Sequence, residues 1–154
     1  IKALVSGISV IAGSIIGFAV GGPGGAVVGA VVALFAQPEI INQIKANPLV
    51  RGVTFSGGDP FFQAEGFAEL ARRLKEMKYE VASYTGFTWE QIVGIGNTHQ
   101  IELLKNLDIL VDGLYIEEKR NLDLRFRGSE NQRIIDVQRS LREGKVYSFH
   151  DDEV

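Results

Sequence analysis

A β-branched run, Gly52-Val-Thr-Phe-Ser56, opens directly onto Gly57-Gly58-Asp59-Pro60. Without a Cβ, a glycine pair lets backbone groups approach a bound molecule closely. The C-terminal edge of a strand is where α/β proteins place their ligands. Ser56, Gly57, Gly58, Asp59 and Pro60 are therefore one wall of a candidate pocket. The same residues also make good turn chemistry, so on its own this loop is equally an ordinary strand-to-helix connection. Two further segments end in the same manner, Ser83-Tyr-Thr85-Gly86 with its hydroxyls and Asp112-Gly113 after an apolar triplet. Ser83 and Thr85 are candidate ligand contacts, with a plain strand end as the alternative.

The stretch Arg125-Phe-Arg-Gly-Ser-Glu-Asn-Gln-Arg133 is too polar and irregular to be explained by core packing. Guanidinium forks match carboxylates and phosphates. Arg127 and Arg133 are candidates for holding an anionic group of a ligand or partner, against the alternative of a solvated helix cap. His99 and His150 lie far apart with no neighbouring ligands at metal spacing, and both are expected on the surface. Trp89 is expected to pack. The chain has no cysteine, which removes disulfides, thiolate metal sites and cysteine nucleophiles.

The elements that must position these residues follow from periodicity. Pro38 at a first helical turn opens a short amphipathic helix over 39–46 with Ile40, Ile41 and Ile44 on one face. A buried strand over 50–56 leads to a helix over 63–78, whose stripe is Phe67, Leu70, Ala71, Leu74 and Met77. A strand over 79–84, helices over 88–95 (capped by Thr88) and 98–106, and a strand over 108–112 complete the pattern. The tail is polar, with one candidate strand at 145–149. Alternating helices and strands predict an α/β fold with a mostly parallel sheet.

The 154 residues suit one α/β domain spanning 1–154, with a polar tail at 143–154. A net charge of −3 supplies no global field for nucleic acid. Residues 8–37 are atypical. No charge occurs from Ala3 to Gln37, and Gly13, Gly17, Gly21, Gly25 and Gly29 recur every fourth position, the spacing of a glycine zipper that brings membrane helices together. Gly21-Gly-Pro-Gly-Gly25 interrupts that pattern. A membrane-associated or oligomerising glycine-zipper protein is one reading.

A second reading comes from likeness. Gly52 to Gln63, Tyr84-Thr-Gly-Phe-Thr-Trp-Glu90, Leu110-Val-Asp-Gly113 and Arg125 to Arg133 together resemble the activating proteins of anaerobic ribonucleotide reductase, a radical S-adenosylmethionine family, over about residues 39–142. The resemblance implies a partial, open (β/α) barrel, S-adenosylmethionine and a [4Fe-4S] cluster as cofactors, and a cytoplasmic protein. Its implied partners are the reductase large subunit and an electron donor such as flavodoxin. The implied activity is reductive cleavage of S-adenosylmethionine to a 5′-deoxyadenosyl radical, which leaves a glycyl radical on the reductase. By the same likeness, Gly57, Gly58 and Asp59 face the methionine amino group and Ser83 and Thr85 the ribose or carboxylate. Arg127 and Arg133 face the carboxylate or the reductase.

The family's three cluster cysteines follow a first strand ending Val-Ser-Gly, and Leu4-Val-Ser-Gly7 matches that ending. The three positions that should then carry cysteine are Ile8, Ala12 and Ile15, none able to ligate iron. A cluster-less relative, or a scaffold that binds the reductase without activating it, is therefore also implied.

Overall fold

The computed structural model describes the backbone of residues 8–12, 17–20 and 26–30, and residues 37–150 and 153 in full. Its strands are β1 (Ile8–Ala12), β2 (Gly17–Val20), β3 (Ala26–Ala30), β4 (Gly52–Gly57), β5 (Glu80–Tyr84), β6 (Ile109–Asp112) and β7 (Arg133–Asp136). Its helices are α1 (Gln37–Lys45), α2 (Ala64–Glu76), α3 (Trp89–Ile95), α4 (Thr98–Lys105) and α5 (Val137–Glu143). The strands form one sheet in the order β2-β3-β1-β4-β5-β6-β7. Pairings from β3 through β1, β4 and β5 to β6 are parallel, and the outer β2–β3 and β6–β7 pairs are antiparallel. The expected α/β fold with a mostly parallel sheet is observed.

Burial explains why these segments are strands. Val53, Phe55, Val81, Leu110 and Val111 are fully buried, as befits parallel strands covered on both faces. The apolar stripe of α2 supplies part of that cover. Phe67, Leu70, Ala71 and Leu74 are fully buried, and Phe67 meets Phe55 edge-on at 4.8 Å between ring centroids. The helix stops earlier than its periodicity suggests, because Lys78 turns to φ 70° and Tyr79 N–H returns to Leu74 C=O at 3.1 Å.

Caps fix the next two helices. Thr88 and Gln91 form a reciprocal capping box on α3, and Asn97 and Gln100 form another on α4. A short helix that composition hides leads into the polar tail. The Asp136 side chain accepts the Arg139 N–H at 3.2 Å and starts α5, while the candidate strand at 145–149 contributes only an isolated bridge between Ser148 and Ile135.

Two expectations for the N-terminal segment are corrected. A glycine zipper needs one continuous helix, yet three stretches of this segment are strands. Gly17 and Gly29, placed on one helix face by the four-residue spacing, are instead cross-strand partners of β2 and β3. β-branched residues favour the pleated backbone, and glycine weakens helix. Among the described residues, no helix is long and apolar enough to cross a membrane. The second correction concerns the first strand, expected to end at Gly7. Residues 1–7 lie outside the described residues, and β1 itself contains Ile8 and Ala12, in register with Val53 and Gly57 of β4. Two of the three expected cluster positions are thus sheet backbone rather than loop. Ile15 lies outside the described residues.

Candidate functional site

The C-terminal ends of β4, β5 and β6 lie side by side, and the loops leaving β4 and β5 meet at Asp59. Gly57 takes φ 91° and Asp59 φ 39°, a left-handed turn that the glycine accepts freely and that aspartate tolerates better than most residues. The turn aims the Asp59 carboxylate across the sheet edge. Its Oδ1 accepts Phe61 N–H at 3.0 Å, capping the 3₁₀ turn Pro60–Gln63. Its Oδ2 accepts the Thr85 hydroxyl at 3.1 Å and Gly86 N–H at 2.9 Å. A carboxylate offers about four acceptor positions, and three of them are engaged here. The Thr85 hydroxyl also accepts Phe87 N–H at 3.1 Å, and Phe87 C=O accepts Gly113 N–H at 2.9 Å, with Gly113 at φ 96°. One chain of hydrogen bonds therefore runs across three strand ends.

These loops enclose an open cavity of about 180 Å³, lined by Gly57, Asp59, Pro60, Thr85, Leu114 and Gln132 among others. Tyr84 also lines it; burial raises the pKa of its hydroxyl, which donates to Phe126 C=O at 2.8 Å. Beyond Leu114 lies a second cavity of about 450 Å³. Its floor is an ion-pair network. Arg133 donates to buried Asp112 through Nε at 3.1 Å and Nη2 at 2.6 Å, and to Glu90 at 3.0 and 2.7 Å. Asp112 also accepts Trp89 N–H at 2.8 Å. Asp112 first and Glu90 second hold the guanidinium in its charged form, and Arg133 in turn lowers the Glu90 pKa.

The structure brings Gly57, Asp59, Pro60 and Thr85 together around the first cavity. Ser56 and Gly58 flank that turn without lining it, and Ser83 is fully buried with its hydroxyl on Tyr84 C=O at 3.0 Å. Arg133 lines the second cavity with its fork engaged by two carboxylates. Arg127 lines neither cavity; its Nε donates to Arg125 C=O at 3.2 Å, and burial lowers its pKa.

The polar run after Arg127 acts as a loop clamp, a role its composition does not reveal. Gln132 accepts Gly128 N–H at 2.9 Å and donates to Gly113 C=O at 3.0 Å. Asn131 donates to Leu114 C=O at 2.7 Å, and the Ser129 hydroxyl accepts Ile116 N–H at 3.2 Å. Sequence reading passed over Leu114 and Tyr115 as cavity walls, since neither carries a pattern that marks a ligand. Only the position of Leu114 and Tyr115 directly after the Asp112-Gly113 strand end pointed there.

An α/β sheet with its cleft at the strands' C-terminal edge is the class that fold and site define. Residues 28–135 match the family described as the 4Fe-4S single cluster domain, and the chain belongs to that family. It is 36% identical over 101 residues to the anaerobic ribonucleoside-triphosphate reductase-activating protein of Vibrio cholerae, a match covering 62% of this chain and 63% of that protein. The protein of that name from Haemophilus influenzae is 31% identical over the same shares. That of Enterobacteria phage T4 is 32% identical over 91 residues, 55% of this chain and 53% of that protein. The matched region thus spans about 63% of the length of the bacterial relatives. No solved structure matches.

The residues present do not fit the cluster that the family description names. Iron in such clusters is held by thiolates, and the sequence contains none. Among the described residues, no group of three or more His, Asp or Glu side chains could hold a metal instead.

Proposed function

We propose that this chain is the cofactor-binding α/β part of an anaerobic ribonucleotide reductase-activating protein, of the open (β/α) barrel kind, and that its cleft receives S-adenosylmethionine. The observation that carries this reading is that the Asp59 carboxylate, in the loop after β4, holds the loop after β5 through Thr85 and Gly86, while Phe87 links that loop on to Gly113 at the end of β6. The Asp59 carboxylate lines an open cavity, and a methionine ammonium is the cofactor group that such a site attracts. Gly57 and Pro60 shape the wall, Thr85 holds Asp59 in place, and Gly57 leaves room for close backbone approach. Ser56, Gly58 and Ser83 support the strand ends behind it.

The partner on this reading is the reductase large subunit, with Arg127 on the face beyond the cleft. In an active family member, S-adenosylmethionine supplies the 5′-deoxyadenosyl radical and an electron donor such as flavodoxin the electron. No step through a cluster is assigned to residues of this chain, because none of them is a thiolate. What the chain's own residues contribute is binding and orientation of the sulfonium cofactor.

Calorimetry of the full chain with S-adenosylmethionine tests the reading. Saturable binding is expected, weakened at least tenfold by Asp59→Ala. A wild-type chain that takes up no S-adenosylmethionine at millimolar concentration overturns it.

A further inference from the structure

The cavity around Asp59 holds about 180 Å³, below the 300 Å³ or more usual for small-molecule and cofactor sites. The neighbouring cavity over Arg133 holds about 450 Å³. The two share three lining residues, Gly86, Gly113 and Leu114. Of these only Leu114 has a side chain, and it is 68% exposed. A Cβ built on Gly86 would lie 2.8 Å from Leu114 Cδ2, so the leucine tip rests directly on the glycine backbone. Backbone on either side is pinned, with Gly113 N–H bonded to Phe87 C=O and Leu114 C=O to Asn131. The Leu114 side chain is the movable part of the boundary.

Resting on the reading of the cleft as a cofactor site, we propose that Leu114 is a specificity-determining partition between two lobes of one groove. A ligand of nucleoside size cannot be contained by the Asp59 lobe. It must pass Leu114, so that one end lies against Asp59 and the other over Thr88, Ile116 and Asn131 in the second lobe. Gly86 matters because any side chain there would press Leu114 into the passage. Arg133 serves as floor rather than ligand contact, since its fork is already held by Asp112 and Glu90.

Calorimetry with S-adenosylmethionine on the full chain tests this with three variants. Ile116→Trp fills the second lobe without touching the residues of the first, and Leu114→Phe thickens the partition. Each is expected to weaken binding tenfold or more, whereas Leu114→Ala, which trims the partition, is expected to strengthen it about threefold. Thermal melting checks that each variant folds; Leu114 is exposed enough to tolerate change, so its two variants decide the matter if Ile116→Trp does not fold. Equal affinity in wild type, Leu114→Phe and Leu114→Ala overturns the partition and leaves the cofactor reading standing. Failure of the wild type to bind overturns the cofactor reading, and the partition with it.

Discussion

Arg133 grips the carboxylate of Asp112 through two nitrogens, at 3.1 and 2.6 Å, with the Asp112 side chain only 1% exposed. The pair joins the last residue of β6 to the first residue of β7. A buried charge that loses its partner costs far more than the pair contributes. Arg133→Ala is expected to lower unfolding stability by about 3–5 kcal/mol, read by urea denaturation. Arg133→Ala with Asp112→Leu should recover part of that loss. A single variant as stable as wild type would show that the pair is not the anchor.

Glu90 is the outer arm of the same network, and Arg133 holds its pKa below the ordinary glutamate value. A carboxylate depressed on folding adds stability above its unfolded pKa, and that contribution is lost as pH falls through the lower, folded value. The Glu90 side chain is 61% exposed, so solvent screening limits the effect to at most about 1 kcal/mol. Glu90→Gln is expected to be less stable than wild type at pH 7 and indistinguishable from it at acidic pH, below the folded value. A difference that persists there would assign the effect to shape rather than charge.

Thr85 links the Asp59 turn to the end of β5, donating to Asp59 at 3.1 Å and accepting from Phe87 at 3.1 Å. Thr85→Val keeps the volume and leaves a buried N–H and one carboxylate oxygen less well satisfied. A stability loss of about 1–3 kcal/mol is expected, together with weaker S-adenosylmethionine binding. Thr85→Ser, which restores the hydroxyl, should recover most of the binding.

Beneath the cleft, Phe55 of β4 and Phe67 of α2 are fully buried and meet at 4.8 Å. Phe67→Ala should cost about 3–5 kcal/mol. Measured by urea denaturation, a loss under 1 kcal/mol would mean that α2 is not the principal cover of β4.

Reconstitution under anaerobic conditions with ferrous iron and sulfide provides a separate check on the donor set. The chain is expected to retain neither the broad visible absorption of a cluster nor stoichiometric iron after desalting, since it has no thiolate to hold them. Retained iron and sulfide would require donors that the sequence does not suggest.

Much of the architecture from residue 37 onward was legible in periodicity and punctuation. The stripe of α2, the continuous apolar runs of β4 and β6, and the cap at Thr88 each act locally, so residue order was enough to place them. The resemblance to reductase-activating proteins, too, rests on residue order and is upheld by the matching relatives. The zipper spacing of Gly17 and Gly29 misled, because a period of four suits one face of a helix and also one face of a strand. Other features needed distant parts of the chain to meet. Residues 131–133 read as a ligand loop because they are polar. Their partners, Leu114, Gly113 and Asp112, lie 17 to 21 residues away, and only the antiparallel return of β7 beside β6 sets them face to face. Asp59 was identifiable as a turn residue. That its carboxylate ties two strand ends together, and that Leu114 divides the space beside it, follows from how the parallel strands are stacked, because a cavity wall is a relation among loops that no single segment encodes.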